Sequence, residues 1–403
     1  MPALRAGARL DPSAFAAVRR RTMLEGCKWD PQVGDAATLA DFPLLMPEST
    51  WHGLAQAAEA MTGELMAIEQ AALATRASLQ ELGLPDRLVD ALYSDEPPTP
   101  AAVRVMRFDF HPTTAGWRVS EVNSDVPGGF TEASFFTRLM AEASREGMPA
   151  GDPLRAWADG FARGVIPGGQ VALLSAPGYL EDRQVTVFLA RELHRRGWQT
   201  HLAHPAQLHW RDGVAHLETN WHRGPMDAIV RFFQAEWLAA QPDARNWRRM
   251  FHGGLTPVTN PGIAAVGESK RLPLLWRRFG ISTYTWLCHL PETRHPNEVP
   301  WEQDDSWVLK PAMCNTGEMV LIRPATSGAD WARAVRAVKL QPDRWIAQRR
   351  FHPEPVNTPD GPRQACIGVY VVDGRCAGAY ARLSERAVID FAATDVALLL
   401  TQE

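Results

Sequence analysis

The stretch that decides the fold is residues 103–129, VRVMRFDFHPTTAGWRVSEVNSDVPGG. Apolar and polar residues alternate on both sides of a turn that contains Pro, Thr and Gly, which predicts the two strands of a hairpin. Because side chains alternate between the two faces of a strand, Arg107 shares a face with Asp109, and Glu121 shares a face with Asn123. The stretch therefore predicts a hairpin that displays two carboxylates and an amide.

Carboxylate and amide oxygens are hard metal ligands. They suit Mg²⁺, which proteins usually hold through one or two carboxylates while substrate phosphates provide further ligands. The alternative is that Asp109, Glu121 and Asn123 are solvated residues on two exposed strand faces. The hairpin alone does not separate these interpretations, so the rest of the chain must decide between them.

A second region has the features of a phosphate-binding segment. Residues 307–320, WVLKPAMCNTGEMV, predict a short apolar strand ending in Lys310, a turn containing Gly317, and a second strand. A lysine at the end of a strand is placed to neutralise phosphate, and a glycine-containing loop lets main-chain N–H groups approach it. The sequence has no GxxxxGK[ST], and no GxGxxG follows a strand, so it carries neither a P-loop nor a dinucleotide-binding motif.

Three further segments complete the pattern. Lys270 lies in ESKRLPLL, residues 268–275, where the sequence predicts the start of a helix. Residues 344–350, RWIAQRR, predict a strand that ends in polar side chains. Residues 366–383 contain an Asp-Gly pair between two apolar runs, which is a strong hairpin signal. The second strand of this hairpin carries Arg382.

These segments, in this order along the chain, resemble the circularly permuted ATP-grasp ligases typified by the synthetase domain of glutathionylspermidine synthase. The resemblance covers roughly residues 101–403 and rests on RFDF…EVN, VLKPAMCNTG, AQRR and VVDGRCAGAYARL. In ordinary ATP-grasp enzymes the metal-binding residues follow the phosphate-binding lysines, whereas here they come first, as in a permuted member. The resemblance implies an α/β (α+β) ATP-grasp fold. It also implies an ATP- and Mg²⁺-dependent ligase that joins a carboxylate to an amine through an acyl phosphate.

Carried onto this sequence residue by residue, the resemblance implies a metal centre and two catalytic arginines. The Mg²⁺ ligands that it implies are Asp109, Glu121 and Asn123. Arg107 and Arg382 fall where family members keep arginines that stabilise the acyl phosphate and the tetrahedral adduct. Phosphoryl transfer depends on positioning and charge more than on covalent catalysis, and fixed donors best meet charge that develops in an adduct. The structural alternative for Arg382 is an ion pair with Glu385.

The resemblance also implies a set of residues that bind ATP. Lys270 and Lys310 would bind the phosphates, and Gly317 lies in the loop that would cover them. Gln348 falls in the strand that would contact adenine. As structural alternatives, Lys270 points into solvent and Gln348 is an ordinary strand residue.

The sequence departs from the family pattern where the substrate would bind. Relatives of glutathionylspermidine synthase have serines shortly after the Asn, but this chain has SDVPGG at residues 124–129. The covering loop commonly has an arginine where Asn315 stands. No amidase domain is expected, because the first hundred residues are predicted to be helical and contain only Cys27. The reaction type is therefore predicted more closely than its partners, a small-molecule or peptide carboxylate and an amine.

Composition excludes several classes of protein. Of 403 residues, 45% are hydrophobic and 22% are charged, and the net charge is −4, which is typical of a globular chain. No basic footprint dominates, so a nucleic-acid partner is not expected. Five scattered cysteines form no CxxC pair, which argues against a zinc site or a disulfide framework and favours the cytoplasm. No apolar run approaches the ~18 residues of a membrane span, and the sequence does not indicate an oligomeric state.

Four regions are expected along the chain: a helical N-terminal region, the metal-binding hairpin segment, a small α/β domain that precedes the ATP-grasp fold, and the nucleotide-binding region. Their bounds are 1–100, 101–150, 151–255 and 256–403. Apolar residues at helical spacing predict one helix over residues 50–82. The residues that form its apolar face are Leu54, Ala58, Met61, Leu65, Ile68 and Ala72.

The third region has its own pattern. Strand-like runs at 171–175 and 199–205 flank a helical pattern at 181–196, which predicts a β-α-β unit. Asp212 and Gly213 lie between two alternating runs and predict another hairpin.

Two other functions use parts of the same pattern. A non-catalytic ATP-grasp relative would bind nucleotide for regulation, and a metal-dependent phosphotransferase or phosphohydrolase would use the metal ligands without an amine. The intact set of metal ligands and lysines favours a ligase over the non-catalytic relative. No nucleophile or acid/base dyad stands out, which is consistent with catalysis by positioning and electrostatics.

Overall fold

The structure is a computed structural model that describes residues 4–30, 32–33, 36–314, 320–389 and 392–402. It is a mixed α/β fold with several separate sheets, and the predicted α/β class is confirmed. The α-helices of the described residues are Pro12–Leu24, Glu48–Ala72, Arg76–Glu81, Asp86–Leu92, Thr137–Ser144, Pro153–Gly164, Leu180–Arg195, Ala235–Ala240, Ala244–Trp247, Ala264–Glu268, Trp276–Phe279, Tyr284–His289 and Gly328–Leu340. The π-helical and 3₁₀ turns are Thr131–Phe136, Pro205–Gln207, Arg248–Met250, Leu272–Leu274, Pro296–Glu298, Arg323–Ala325 and Pro342–Arg344.

The largest sheet is antiparallel and contains the hairpins predicted at residues 103–129 and 366–383. Its strands lie in the order Thr394–Val396, Arg375–Ser384, Gly361–Val372, Val105–Thr113 and Gly116–Asn123. A sixth strand, Val356–Thr358, pairs with the start of Gly361–Val372. The sheet therefore joins the early hairpin to the late one, although they are far apart in sequence.

The Asp-Gly turns have the geometry that their sequence predicts. Asp373 and Gly374 both have positive φ, 47° and 78°, and Asp212 and Gly213 repeat this with 49° and 79°. Positive φ at both central residues is the type I′ pattern, whose twist matches the twist of the flanking strands. Aspartate tolerates this region better than most residues and glycine adopts it freely, so both hairpin predictions are confirmed.

A smaller antiparallel sheet carries Lys310. Its middle strand, Trp345–Arg349, pairs with Thr293–Arg294 on one side and with Trp307–Pro311 on the other. The second strand predicted after the Lys310 turn falls mostly on 315–319, outside the described residues. Leu321, just beyond them, forms an isolated bridge with Leu309.

A parallel sheet confirms the predicted β-α-β unit. Strands Gln170–Ser175 and Gln199–Ala203 pair in parallel, with helix Leu180–Arg195 between them in the chain. The sheet continues through Ala228–Phe232 to Val258–Thr259. The hairpin turned by Asp212 and Gly213 belongs to a separate antiparallel sheet. Its strands are Leu208–Arg211, Val214–Glu218 and Arg223–Pro225.

The N-terminal region also contains short strands that the sequence did not predict. Arg5–Ala6 pairs with Leu44–Pro47, and the latter pairs in parallel with Leu398–Thr401 near the C-terminus. Met148–Pro149 covers the other edge of Leu398–Thr401. A two-stranded ladder, Gln32–Val33 with Ala36–Ala37, lies apart from this sheet.

The helix predicted over residues 50–82 is wrong in extent. All six apolar residues of its predicted face are buried in helix Glu48–Ala72, which packs against the largest sheet. The helix ends at Ala72, and a second helix, Arg76–Glu81, begins shortly after it. Thr75 caps this second helix, since its side-chain oxygen accepts a hydrogen bond from Ser78 N. A threonine N-cap satisfies an otherwise unpaired amide, and the helical spacing of the apolar residues does not reveal this break.

A buried ion pair fixes the segment after the early hairpin. Asp125 accepts from Arg231 Nη2 and, at 2.7 Å, from Ala235 N, while the Arg231 side chain is fully buried. We expect Asp125→Ala to lower the free energy of unfolding by about 3–5 kcal/mol, because it leaves a buried guanidinium without its counter-charge. Urea unfolding would measure the loss.

The matched control for this prediction is Asp41→Ala. Asp41 pairs at 2.8 Å with Arg9, whose side chain is 44% exposed, so we expect a loss of less than about 1 kcal/mol. Equal losses for the two variants would contradict the structural role of Asp125.

Candidate active site

Strand register brings the predicted metal ligands together. Asp109 is paired with Glu121 and Arg107 with Asn123, and directly paired residues lie on the same face of a sheet. Asn123 Nδ2 lies 3.4 Å from Asp109 Oδ2. The register shifts after Asp109, which marks a bulge, and bulges often re-aim side chains next to functional sites.

Asp109 is held between two arginines. Arg107 Nε and Nη2 donate to its two carboxylate oxygens at 2.8 and 3.0 Å, and Arg382 Nη2 donates to Oδ2 at 2.7 Å. Burial disfavours the charged carboxylate, but the two guanidinium charges outweigh it and hold the pKa of Asp109 below its ordinary value. The alternative that Arg382 forms an ion pair with Glu385 is wrong, since Glu385 pairs with Arg363.

A glycine on the intervening strand gives the Arg107 side chain room. Gly368 is paired with Asp109 on one side and with Tyr380 on the other. A Cβ at this position would lie 2.9 Å from Arg107 Cδ, so a larger residue would displace the arginine. Arg382 Nε is buried and has no hydrogen-bond partner within the described ranges, which leaves one guanidinium N–H available to a ligand.

Lys270 and Glu121 form a buried ion pair. Lys270 Nζ lies 3.3 Å from Glu121 Oε2 and donates to the main-chain oxygen of Cys314 at 2.7 Å. Burial opposes the ammonium charge most strongly, but Glu121 together with Cys314 and Glu268 outweighs it, so the pKa of Lys270 is raised above its ordinary value. For Glu121, burial opposes ionisation, and the charges of Lys270, Lys310 and Arg382 together overcome it and lower the pKa of Glu121.

The environment of Lys270 differs from the prediction in one respect. Lys270 does not begin a helix; it lies between helix Ala264–Glu268 and the 3₁₀ turn Leu272–Leu274. Its amide donates to the main-chain oxygen of Ala312 at 2.9 Å, and its side chain is only 8% exposed. This tertiary contact replaces the helical hydrogen bond, and the alternative that Lys270 points into solvent is wrong.

Lys310 is buried with neutral partners. Its Nζ donates to Gln348 Oε1 at 2.9 Å and to Ser120 O at 3.1 Å. Burial lowers the pKa of Lys310 to about 8, because the favourable charge of Glu121 is partly cancelled by Lys270. Gln348 is therefore more than an ordinary strand residue, since it holds this lysine from the facing strand.

These residues line one cleft between the largest sheet and the smaller sheet. Its charged lining residues are Asp109, Glu121, Lys310, Arg349, Arg350 and Arg382. The apolar lining comprises Val308, Val320, Ile322, Phe351, Pro353, Ala387, Val388 and Ile389. Lys270 and Gln348 line the adjoining cavity together with Glu121 and Lys310.

The charge balance of this site favours an anion. Three acidic side chains, Asp109, Glu121 and Glu268, line the cleft and its adjoining cavity, and four cationic side chains lie within hydrogen-bond or ion-pair distance of the site's groups. These cations are Arg107, Arg382, Lys270 and Lys310. Low-dielectric walls strengthen the field of such a set, so a ligand with several negative charges fits the cleft.

The donor set fits Mg²⁺ only in a site completed by ligand oxygens. Both oxygens of Asp109 accept from arginines, whereas the Glu121 side chain is 22% exposed. In the part of the chain that the structure describes, no three His, Cys, Asp or Glu side chains form a metal-binding group. Mg²⁺ is commonly held by one or two carboxylates plus phosphates, and Asp109, Glu121 and Asn123 can supply the protein part of such a set.

The described residues do not include the whole predicted site. Gly317, predicted to lie in the loop over the phosphates, falls in 315–319, outside the described residues.

Sequence reasoning missed His111, which lines the same cleft. His111 Nε2 lies 3.0 Å from Ser120 Oγ, and its ring centroid is 5.2 Å from that of Phe351. Burial lowers the pKa of His111 to about 4, more than Asp109 raises it, so the imidazole is neutral at pH 7. Strand alternation from Asp109 was the signal that would have found it, because His111 is two residues further along the same strand.

Comparison with protein families gives one match that spans most of the chain. Residues 44–400 match the family described as glutathionylspermidine synthase preATP-grasp. The chain belongs to this family. The match includes every described residue of the candidate site, from Arg107 to Arg382. Comparison with curated protein sequences found no match.

Two solved structures resemble this member of the glutathionylspermidine synthase family. A glutathione synthetase-like effector from Globodera pallida, in its apo form, matches with a TM-score of 0.64 at 14% identity, over 97% of this chain and 98% of that one. A putative γ-glutamylcysteine synthetase from Methylobacillus flagellatus matches with a TM-score of 0.42 at 11% identity, over 81% and 84% of the two chains. The first likeness shows a shared fold, and the second is too distant to carry an argument.

The described residues of this protein contain no candidate transmembrane helix. None of the helices within those residues combines the length and the apolar character that a membrane span requires.

Proposed function

We propose that the protein is an ATP- and Mg²⁺-dependent ligase that joins a carboxylate to an amine, forming ADP and phosphate. The observation that carries the proposal is the meeting of Asp109, Glu121, Lys270, Lys310 and Arg382 around one cleft. Family membership supports ligase chemistry. The excess of positive charge supports a polyphosphate ligand.

The proposed reaction has two steps. An oxygen of the substrate carboxylate attacks the γ-phosphorus of ATP, and ADP leaves with the electrons of the broken P–O bond. The amine nitrogen then attacks the acyl carbon, phosphate leaves with the former carboxylate oxygen, and the nitrogen loses a proton. Mg²⁺, when bound by Asp109, Glu121 and Asn123, would neutralise negative charge that develops during transfer.

Each residue has a role in this scheme. Lys270 and Lys310 bind phosphate oxygens as point charges. Arg107 and Arg382 face the junction of phosphate and carboxylate and stabilise negative charge in the adduct. Glu121, Asn123 and Asp109 would hold Mg²⁺, with Arg107 keeping the Asp109 carboxylate in position.

We also propose a permuted ATP-grasp arrangement for the chain. It is supported by the pairing of strand Val105–Thr113 with Gly361–Val372, which joins residues 101–150 to residues 256–403 in one sheet. Residues 151–255 contain the parallel β-α-β unit that would precede this fold. Residues 1–100 contribute helices around it, and the reaction would take place in the cytoplasm.

The proposed function is tested by a screen of ADP release. Candidate carboxylates are supplied with Mg²⁺ and ATP, with and without amines, and amide formation is followed by mass spectrometry. The proposal expects ADP and amide in equal amounts only when both partners are present. ADP release or phosphoryl transfer without any amine requirement would favour a phosphohydrolase or phosphotransferase, and binding without turnover would favour a regulatory protein.

The pKa of Lys310 predicts how ATP affinity depends on pH. The ammonium form binds phosphate, and the pKa of about 8 means that this form is lost as pH rises from 7 to 9. We expect the Kd of a non-hydrolysable ATP analogue to rise about tenfold for each pH unit above 8, and binding near pH 8 to take up a proton. Calorimetry in buffers of different ionisation enthalpy measures both effects.

Lys310→Arg is the control for this prediction. A guanidinium stays charged throughout this range, so affinity of the variant is expected to be nearly independent of pH. The same pH dependence in Lys310→Arg would assign the effect to another group.

A further inference from the structure

His111 lines the cleft close to both charged and apolar residues, and it is 7% exposed. Its ring lies 5.2 Å from that of Phe351, centroid to centroid. His111 Nε2 and Lys310 Nζ both contact Ser120, the first its Oγ and the second its main-chain oxygen. A nucleoside triphosphate with a phosphate on Lys310 would therefore lie beside the imidazole.

The hydrogen bonds of His111 define what it can recognise. His111 Nε2 lies 3.0 Å from Ser120 Oγ, and Ser120 Oγ lies 3.4 Å from the main-chain oxygen of Asp109, which can only accept. In the tautomer that makes both hydrogen bonds, Ser120 donates to Asp109 and accepts from His111 Nε2–H. Nδ1 of this tautomer is an acceptor. It is buried and has no partner among residues whose positions are described. A buried unpaired acceptor is costly unless a ligand satisfies it.

A second unpaired acceptor lines the same cleft. Gln364 Oε1 is buried and lacks a hydrogen-bond partner in the described chain. Gln364 lies on strand Gly361–Val372, which pairs with the strand of His111 through Ile367 and Phe110. The two acceptors therefore line the same cleft from neighbouring strands of one sheet.

We propose that His111 Nδ1 and Gln364 Oε1 form an acceptor pair that receives hydrogen bonds from neutral donors of the nucleoside, a ribose hydroxyl or the adenine amino group. The inference rests on the proposed function, since it assumes that ATP occupies the cleft. It adds a nucleoside-recognising residue, His111, to the phosphate-binding lysines. Phosphate oxygens carry no donor at neutral pH, so this pair distinguishes a nucleotide from a bare polyphosphate.

The test combines variants with altered nucleotides. Calorimetry with Mg²⁺ measures the affinity of the unaltered protein, His111→Phe and His111→Asn for ATP, 2′-deoxyATP, 3′-deoxyATP and purine riboside triphosphate, which lacks the amino group. His111→Phe keeps a ring against Phe351 but removes the acceptor. His111→Asn retains a polar atom near the position of Nδ1. Thermal melting by circular dichroism checks that each variant is folded.

We expect His111→Phe to bind ATP about tenfold more weakly, and His111→Asn to recover part of this loss. For the one analogue that lacks the donor, His111→Phe and the unaltered protein should bind equally, which identifies the donor as ribose or base. Gln364→Met should also bind ATP more weakly than the unaltered protein. The two should bind equally the analogue that lacks the group donating to Gln364 Oε1.

Two outcomes contradict the proposal in different ways. An equal loss for ATP and all three analogues in His111→Phe, with no recovery in His111→Asn, would overturn the acceptor role while leaving the ligase proposal intact. Failure of the unaltered protein to bind ATP at all would overturn the proposed function and the acceptor pair together.

Discussion

Glu121→Gln is expected to reduce ADP formation by about 10³-fold or more without unfolding the protein. Phosphoryl transfer relies on charge neutralisation at the phosphates, where one charged group contributes about 10³–10⁵ in rate. The amide keeps the size of the side chain but removes the anionic metal ligand, and it also frees Lys270 from its buried partner. Steady-state ADP release at several Mg²⁺ concentrations measures the effect.

Glu385→Gln is the matched control for this prediction. Glu385 pairs with Arg363 at 2.7 Å and its side chain is 74% exposed, so the same chemical change away from the cleft should leave turnover unchanged. Full turnover by Glu121→Gln at ordinary Mg²⁺ would remove Glu121 from the metal site.

Arg382→Ala is expected to retain ATP binding and to lose amide formation by about 10²-fold, as other fixed oxyanion donors do. Arg382 bonds Asp109 at 2.7 Å and keeps Nε free of partners among the described residues, so it is placed to stabilise charge that grows as the amine attacks. An interaction made mainly in the transition state lowers kcat with little change in KM. Arg107 still pairs with Asp109 in this variant, so the fold should survive.

Arg382→Lys separates charge from geometry. Lysine restores the positive charge but lacks the planar fork that reaches two oxygens at once, so we expect only partial recovery of kcat. If Arg382→Ala raised the KM of the carboxylate substrate and left kcat intact, the arginine would be a ground-state anchor.

Local patterns made much of the sheet predictable. Alternation around residues 103–129 located the early hairpin, and Asp373 with Gly374 located the late one, because both signals depend on neighbours in sequence. The strand Leu44–Pro47 escaped prediction since four apolar residues before a long helix carry no periodicity, and its partner Leu398–Thr401 lies near the other end of the chain.

The candidate site was predictable as a set of residue types, but its interactions were not. The carboxylates, lysines and arginines follow from motifs, while their pairing depends on tertiary distance. Lys270, whose amide bonds Ala312, lies beside Glu121, and Arg382 reaches Asp109 from the far side of strand Gly361–Val372. No local pattern encodes these contacts. The neutral charge state of the His111 imidazole likewise follows from its burial and not from its sequence neighbours.

In the proposed reaction, an oxygen of the substrate carboxylate is transferred to phosphate. This transfer is tested most directly with a carboxylate substrate from the ADP-release screen, labelled with ¹⁸O in its carboxyl group, and supplied with the amine, ATP and Mg²⁺. The phosphate released is then analysed by mass spectrometry. The acyl-phosphate route predicts one ¹⁸O atom in each phosphate for each amide formed. Phosphate free of the label, with amide formed at the same rate, would contradict it.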